Sequence, residues 1–286
     1  MASATATKGA TGRGSRNVIL FYVFLVIFVL VSVFPLLWVF RMSIASKSDL
    51  LASPMVTATA PVVGINYSTV FGNPDFIKAL RNSVIVAGTT TVICLFFGAI
   101  CAYAIARLRF RLKNSVMTLI LAISFFPQVA IIAPLFIQFS AVGIIDTYWA
   151  MIVPDTVFAL PLTIWILVAF FRELPRDLEE AAKVDGATTI QAFRKIIVPL
   201  AAPGVFTTAI LTFIFAWNEF LFANTFTFDA AHYPVTVVIP NFATTYTINY
   251  GAQAAAAVVV TVPLVILVLI FQRRIVSGLT AGAVKG

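Results

Sequence analysis

Residues 18–40 read VILFYVFLVIFVLVSVFPLLWVF, 23 consecutive residues without a charge. At about 1.5 Å of rise per residue, a helix of that length spans the roughly 30 Å hydrocarbon layer of a bilayer. A helix is also the one open-chain conformation that satisfies its own backbone there. The run is longer than the roughly 7–15 apolar residues of a cleavable signal core, and no small-residue cleavage site follows it, so it reads as a retained anchor. The Ala/Thr/Gly/Ser-rich residues 1–17 before it read as a disordered leader.

Five further runs repeat the pattern. Asn82–Ala106 is charge-free between Arg81 and Arg107, and Ser115–Ser140 is charge-free with Pro127 and Pro134 inside. Tyr148–Phe171 carries only Asp155, Pro203–Asn224 only Glu219, and Ala252–Phe271 no charge. The composition agrees, with 61% hydrophobic residues, 10% charged and 27 Phe among 286 residues. A soluble domain is nearer 25% charged, so lipid must solvate much of this chain. The expected fold is an all-α polytopic membrane protein of six transmembrane helices, a membrane domain over residues 18–273.

The net charge of +8 does not point to nucleic acid, because the basic residues form no single patch. They alternate between the links. The leader, the links after spans two and four, and the tail after span six hold 15 of the 19 Lys and Arg; the other links hold only Arg41, Lys47, Lys78 and Arg81. Basic residues concentrate on the cytoplasmic side. Both termini and the link between spans four and five are therefore expected in the cytoplasm, with residues 274–286 as a cytoplasmic tail.

That link, residues 171–199, reads FRELPRDLEEAAKVDGATTIQAFRKIIVP. Pro175 suits the first turn of a helix, and Asp177, Glu179 and Glu180 suit its positive end. Gly186 can stop it in a left-handed conformation. Thr188 or Thr189 can cap a second short helix, with Ile190, Phe193, Ile196 and Ile197 on its apolar face and Pro199 at its end. Small Ala181 and Ala182 permit another surface to come close. By physics alone this is equally a solvated amphipathic connector.

The order Glu180-Ala181-Ala182, three residues, Gly186, nine residues, Ile196, two residues, Pro199 resembles the EAA loop of bacterial binding-protein-dependent ABC importer permeases. Asp185-Gly186-Ala187 is similar to that loop's usual wording. Segments 102–107 (AYAIAR), 146–150 (DTYWA), 217–222 (WNEFLF) and 278–286 (GLTAGAVKG) are similar to the carbohydrate branch, in particular its G-type subunits. The resemblance covers residues 18–286. It implies a permease subunit of an ATP-driven importer for a di- or oligosaccharide, set in the bacterial cytoplasmic membrane. Glu180, Ala181, Ala182, Asp185, Gly186, Ala187, Phe193 and Pro199 would then form a coupling helix seated on an ATPase subunit. The implied partners are a homologous permease, two ATPase subunits that hold ATP and Mg, and an extracytoplasmic sugar-binding protein. The tail, with Thr280, Ala281, Gly282 and Lys285, would contact the ATPase pair. Asn218, Glu219 and Phe220 would belong to a gate or to the translocation path. A permease for a glycerol phosphodiester is the alternative within the class.

Other chemistries find little support. No Gly-Lys dipeptide occurs, so the chain has no phosphate-binding loop of the G-x-x-x-x-G-K-[ST] type. One histidine, His232, and no Cys-x-x-Cys pair argue against a metal site, and no nucleophile pattern surrounds that histidine, which reads as a solvated loop residue. Cys94 and Cys101 lie about 10 Å apart along one helix, too far for a disulfide. Asp155 reads as an interfacial residue near the outer end of span four. Glu219 reads either as interfacial, beside Trp217 as a belt aromatic, or as part of a gate. An ion-coupled carrier would need inverted repeats and midplane coupling residues, and neither is evident. The loop Thr225–Tyr250 has no Lys or Arg and is rich in Thr, Asn, Phe and Tyr, which suits contact with sugar or with a sugar-binding protein.

Overall fold

The computed structural model describes residues 11–47, 50, 63–242 and 249–281, with side chains undescribed at 11–16, 63 and 273–281. Among the described residues the secondary structure is helical throughout. The helices are α1 (Thr11–Ser43), α2 (Val63–Phe71), α3 (Pro74–Arg107), α4 (Lys113–Ser124), α5 (Gln128–Ala141) and α6 (Tyr148–Glu173). They continue with α7 (Asp177–Val184), α8 (Thr189–Leu200), α9 (Ala202–Trp217), α10 (Leu221–Phe226), α11 (Val235–Val238) and α12 (Tyr250–Ala281).

Four helices, α1, α3, α6 and α12, are long and apolar enough to cross a membrane; the number rises to six if each of two bent pairs is one span. The first helix begins at Thr11, inside the stretch read as leader, because helix propagates outward at little cost from an established span. α3 starts eight residues before the expected span. Pro74 occupies its first turn, and the Asn73 side chain accepts a hydrogen bond from the Asp75 amide, so the sequence carries its own start signal.

Two expected spans are broken. The run Ser115–Ser140 divides into α4 and α5, bent by 87°. Pro127 has no amide hydrogen and drives Phe126 out of helical geometry, and both residues stand in the break. The run Pro203–Asn224 gives a helix only as far as Trp217, and α10 starts afresh at Leu221.

α3 and α6 form the principal pair, with α9 against both. They come close at Gly98, where an added Cβ would lie 2.7 Å from the Thr163 methyl. One apolar cluster gathers Phe76, Trp217, Val235 and Ala255; another gathers Tyr103, Leu167, Phe171 and Ile197. α1 packs on α12 and is exposed from residue 17 to residue 37, the pattern of a helix whose side chains meet lipid.

Candidate functional site

The link after α6 folds as a helical hairpin. α7 carries Asp177, Glu179 and Glu180 in its first turn, favourable to the helix dipole. It starts at Asp177 with Arg176 as its cap, so Pro175 lies just before the helix and not within its first turn. Gly186 has φ +85°, the left-handed value that glycine adopts freely. Around it the Ala187 amide bonds to the Ala182 carbonyl at 2.9 Å and the Gly186 amide to the Lys183 carbonyl at 3.1 Å, which closes the helix end. Thr188, not Thr189, caps α8. Its Oγ1 accepts from the Gln191 amide while its own amide donates to Gln191 Oε1 at 2.8 Å.

Pro199 does not end the second helix. Residues Phe193–Ile197 form a π-turn, in which the Val198 amide reaches the Phe193 carbonyl, and helix continues to Leu200. The widened turn accommodates a proline that has no amide hydrogen to give. A 77° bend then leads into α9. The same turn rotates the expected apolar face. Ile197 is buried and Phe193 and Ile196 are half-buried, but Ile190 is exposed.

The hairpin therefore has two sides. Phe193 packs on Tyr103 with ring centres 4.8 Å apart and on Phe171 at 6.3 Å. Ala182 is buried with them, so of the two expected small contact residues only Ala181 faces out. Glu180, Ala181, Asp185, Gly186 and Pro199 are exposed and Ala187 is half-buried; Val184 and Ile190 add exposed apolar surface.

The inner side is held by polar residues whose roles sequence reading did not assign. Tyr103, near the end of α3, donates a 2.7 Å hydrogen bond to Glu179, and Lys183 pairs with the same carboxylate oxygen at 3.0 Å. Arg107 donates to the Leu174 carbonyl at 2.8 Å. Burial alone would raise the Glu179 pKa. The hydrogen bonds from Tyr103 and Lys183, with the charges of Lys183 and Arg107, outweigh it and hold the carboxyl below its ordinary value. A cleft of about 320 Å³ opens beside this cluster, lined by Arg107, Arg109, Arg176, Glu180 and Lys183 among others. A tyrosine followed by an arginine at the basic end of an apolar run was the available signal.

Asn218, Glu219 and Phe220 fill the break after α9. The Asn218 side chain donates through Nδ2 to the Ile214 carbonyl at 2.7 Å. Glu219 accepts from the amides of Phe222 at 2.7 Å and Ala223 at 3.0 Å, and its own carbonyl accepts from Thr236. It is thus a helix-capping carboxylate, half-buried. Phe220 is exposed. Trp217 is buried and stacked on Phe213, so it is no belt residue. Asp155 is fully buried and lines a cavity of about 10 Å³ with Glu219, Ser83 and Met151. Its interfacial reading fails because α3, α9 and α10 close over it. His232 is half-buried against Asp146 and Tyr148, and Asp146 binds the Phe228 and Asp229 amides.

Thr280 and Ala281 stand at the end of α12 with their side chains outside the described residues, and Gly282 and Lys285 lie wholly outside them. Among the described residues no three His, Cys, Asp or Glu side chains gather as metal ligands would.

Residues 94–280 match the family described as binding-protein-dependent transport system inner membrane component. The chain is 48% identical over 254 residues, 88% of its own length and 92% of the relative's, to the trehalose transport system permease protein SugB of Mycobacterium tuberculosis (strain CDC 1551 / Oshkosh). It is 39% identical to the trehalose/maltose transport system permease protein MalG of Thermococcus litoralis (strain ATCC 51850 / DSM 5473 / JCM 8560 / NS-C), across 91% of this chain and 94% of that one. In fold it resembles a chain of a crystallised bacterial ABC transporter that imports the acidic polysaccharide alginate. The TM-score is 0.76 at 21% identity, with 94% of this chain and 99% of that one covered.

Proposed function

Because this chain belongs to the family of binding-protein-dependent transport system inner membrane components, we propose that it is the permease subunit of an ATP-driven importer for a di- or oligosaccharide. It crosses the membrane six times, with α4 and α5 together as one crossing, α9 and α10 as another, and both termini in the cytoplasm. Residues 1–17 are the leader, 18–273 the permease domain and 274–286 the tail. It forms the translocation path with a homologous permease, receives sugar from an external binding protein, and draws work from two ATPase subunits that hold ATP and Mg.

The observation that carries the coupling role is the two-sidedness of the 171–199 hairpin. Its inner side is pinned to α3 and α6 by Tyr103–Glu179 and by the Phe193 stack. A push on the outer side is thereby transmitted to two spans as one body. Its outer side exposes Glu180, Ala181, Gly186, Val184 and Ile190, a polar and apolar mixture left uncovered. Exposed apolar residues outside the bilayer mark a surface that a protein partner covers. The sugar assignment rests on the carbohydrate names of the relatives, trehalose and maltose among them.

The test is affinity purification of the chain from its host membranes in mild detergent, followed by reconstitution. Two ATPase subunits and one second permease should accompany it, and trehalose or maltose should enter liposomes only with ATP and the binding protein. Purification as a self-sufficient carrier driven by an ion gradient would overturn the reading.

A further inference from the structure

The link between α3 and α4 reads RLRFRLK over residues 107–113, basic and apolar side chains in strict alternation. α3 ends at Arg107, α4 begins at Lys113 and α6 ends at Glu173. α3 and α6 are long and apolar enough to cross a membrane, and the Arg107–Leu174 hydrogen bond joins their ends. Both ends therefore stand at one boundary between hydrocarbon and water.

The cleft of about 320 Å³ beside the hairpin opens at this boundary. Its wall sets Arg107, Arg109, Arg176 and Lys183 against Glu179 and Glu180. Lys183 is paired with Glu179. Among the described residues Arg107, Arg109 and Arg176 form no ion pair. Three guanidinium groups thus meet Glu180 alone.

Arg107 is only 9% exposed. One of its nitrogens donates to the Leu174 carbonyl, and its Nε meets no partner among the described residues. The charge of Glu179 attracts it, yet that carboxylate is shared with Lys183. Like charges press on the cluster: Arg176 acts on Arg107, and Arg172 and Arg176 act on Lys113. Buried and crowded cations are costly unless they are paired. An anion in the cleft supplies the missing pair.

The surroundings select among anions. Guanidinium forks match phosphate oxygens two bonds at a time. Leu108, Phe110 and Leu112 are exposed between the basic residues, and Leu119 and Ile123 extend the exposed apolar surface along α4. A free phosphate ion has no use for that surface, whereas an acyl chain does. Basic pockets between helix ends on the cytoplasmic side take anionic headgroups.

We propose that this cleft binds the phosphate headgroup of an anionic phospholipid, with Arg109 and Arg176 as its main contacts and an acyl chain along Phe110 and α4. The glycerol hydroxyls of a phosphatidylglycerol headgroup would donate to Glu180. A lipid seated there braces the joint between the hairpin and α3 from outside the chain. Its place in the cytoplasmic leaflet rests on the orientation proposed above.

The test is a titration of the complete purified complex in detergent with phosphatidylglycerol or phosphatidylcholine, the bound lipids being counted by native mass spectrometry. The parent should fill one tight site with phosphatidylglycerol and none with phosphatidylcholine. Arg109→Gln with Arg176→Gln should weaken that site at least tenfold, and Arg109→Lys with Arg176→Lys should restore it to within threefold. Arg194→Gln with Lys195→Gln removes the same charge from exposed positions outside the cleft and should change affinity less than twofold. Equal weakening by both glutamine pairs would mean a diffuse charge effect and overturn the site. Displacement of the lipid by millimolar inorganic phosphate would make a free anion the occupant and overturn the lipid assignment. Loss of the ATPase subunit from Arg109→Gln with Arg176→Gln, with phosphatidylglycerol held as in the parent, would show that the cleft receives an acidic partner surface and overturn it equally. Counting lipid needs no sugar, so a failed site is distinct from an importer that fails to transport.

Discussion

The Tyr103 hydroxyl and the Glu179 carboxylate, 76 residues apart in sequence, are joined by a 2.7 Å hydrogen bond. The bond fastens the first turn of α7 to the end of α3. A hydrogen bond to a charged group is worth about 1.5–3 kcal/mol. Tyr103→Phe removes it and leaves the ring stack on Phe193 in place. The expected outcome is a normally assembled complex in which binding-protein-stimulated ATP hydrolysis persists but sugar uptake drops severalfold. Uptake equal to the parent's would show that the hairpin needs no such tether.

Acid should loosen the same joint. Glu179 has its pKa lowered by folding, so its contribution to stability is complete above the unfolded value near 4.5 and is lost as pH falls through the lower folded value. Amide hydrogen exchange over residues 177–184 should show constant protection between pH 7 and 5 and a loss below about pH 4.5. Glu179→Gln should abolish that step. A step at pH 6 would assign the transition to another group.

The carboxylates of Asp155 and Glu219 should answer mutation in opposite ways. Glu219 caps α10 through two amides, and losing a cap costs about 0.5–2 kcal/mol. Glu219→Ala should therefore lower the melting temperature of the purified complex. Asp155 is fully buried, and neither of its carboxylate oxygens meets a hydrogen-bond partner among the described residues. A buried polar group without a partner is costly. Asp155→Asn should melt no lower than the parent. A large fall for Asp155→Asn would reveal a partner for that carboxylate in the assembled transporter.

Orientation can be checked on two exposed residues. Thr189 lies on the hairpin and Ala231 in the loop after α10. With Cys94 and Cys101 replaced by serine, a cysteine at Thr189 should react with an impermeant maleimide only in inside-out vesicles. A cysteine at Ala231 should react only in right-side-out ones. Reaction of both from one side would end the six-crossing arrangement.

Sequence reading succeeded where one residue's physics decides the outcome. Charge-free runs located the long apolar helices, and Gly186 announced the corner because few other residues take positive φ cheaply. Pro127 was visible within its run, but a proline can kink a helix or break it, and only packing decided on an 87° break. The inward turn of Ala182 and the outward turn of Ile190 were not legible. The rotation of a two-turn helix depends on what lies beneath it, here Tyr103 and Phe171 from distant segments. The burial of Asp155 escaped for the same reason, since hydropathy gives depth along a helix and not the side on which neighbours close.

The strongest prediction separates backbone strain from position. Gly186 and Gly143 both adopt left-handed φ, +85° and +73°, and at neither would an added Cβ meet another atom within 4 Å. Valine should therefore cost both sites a similar strain, about 1–2 kcal/mol. Their surroundings differ. Gly186 turns the hairpin proposed to seat on the ATPase, and Gly143 turns the link between α5 and α6, proposed to face outside. Gly186→Val should leave the chain in the membrane, abolish uptake and weaken retention of the ATPase subunit in a pull-down at least tenfold. Gly143→Val should retain the ATPase. Gly186→Ala, with the smallest side chain and the same strained φ, should fall between parent and valine. Equal loss of the ATPase at both glycines would mean that general destabilisation explains the effect. Full transport by Gly186→Val would remove the 171–199 hairpin from the coupling path.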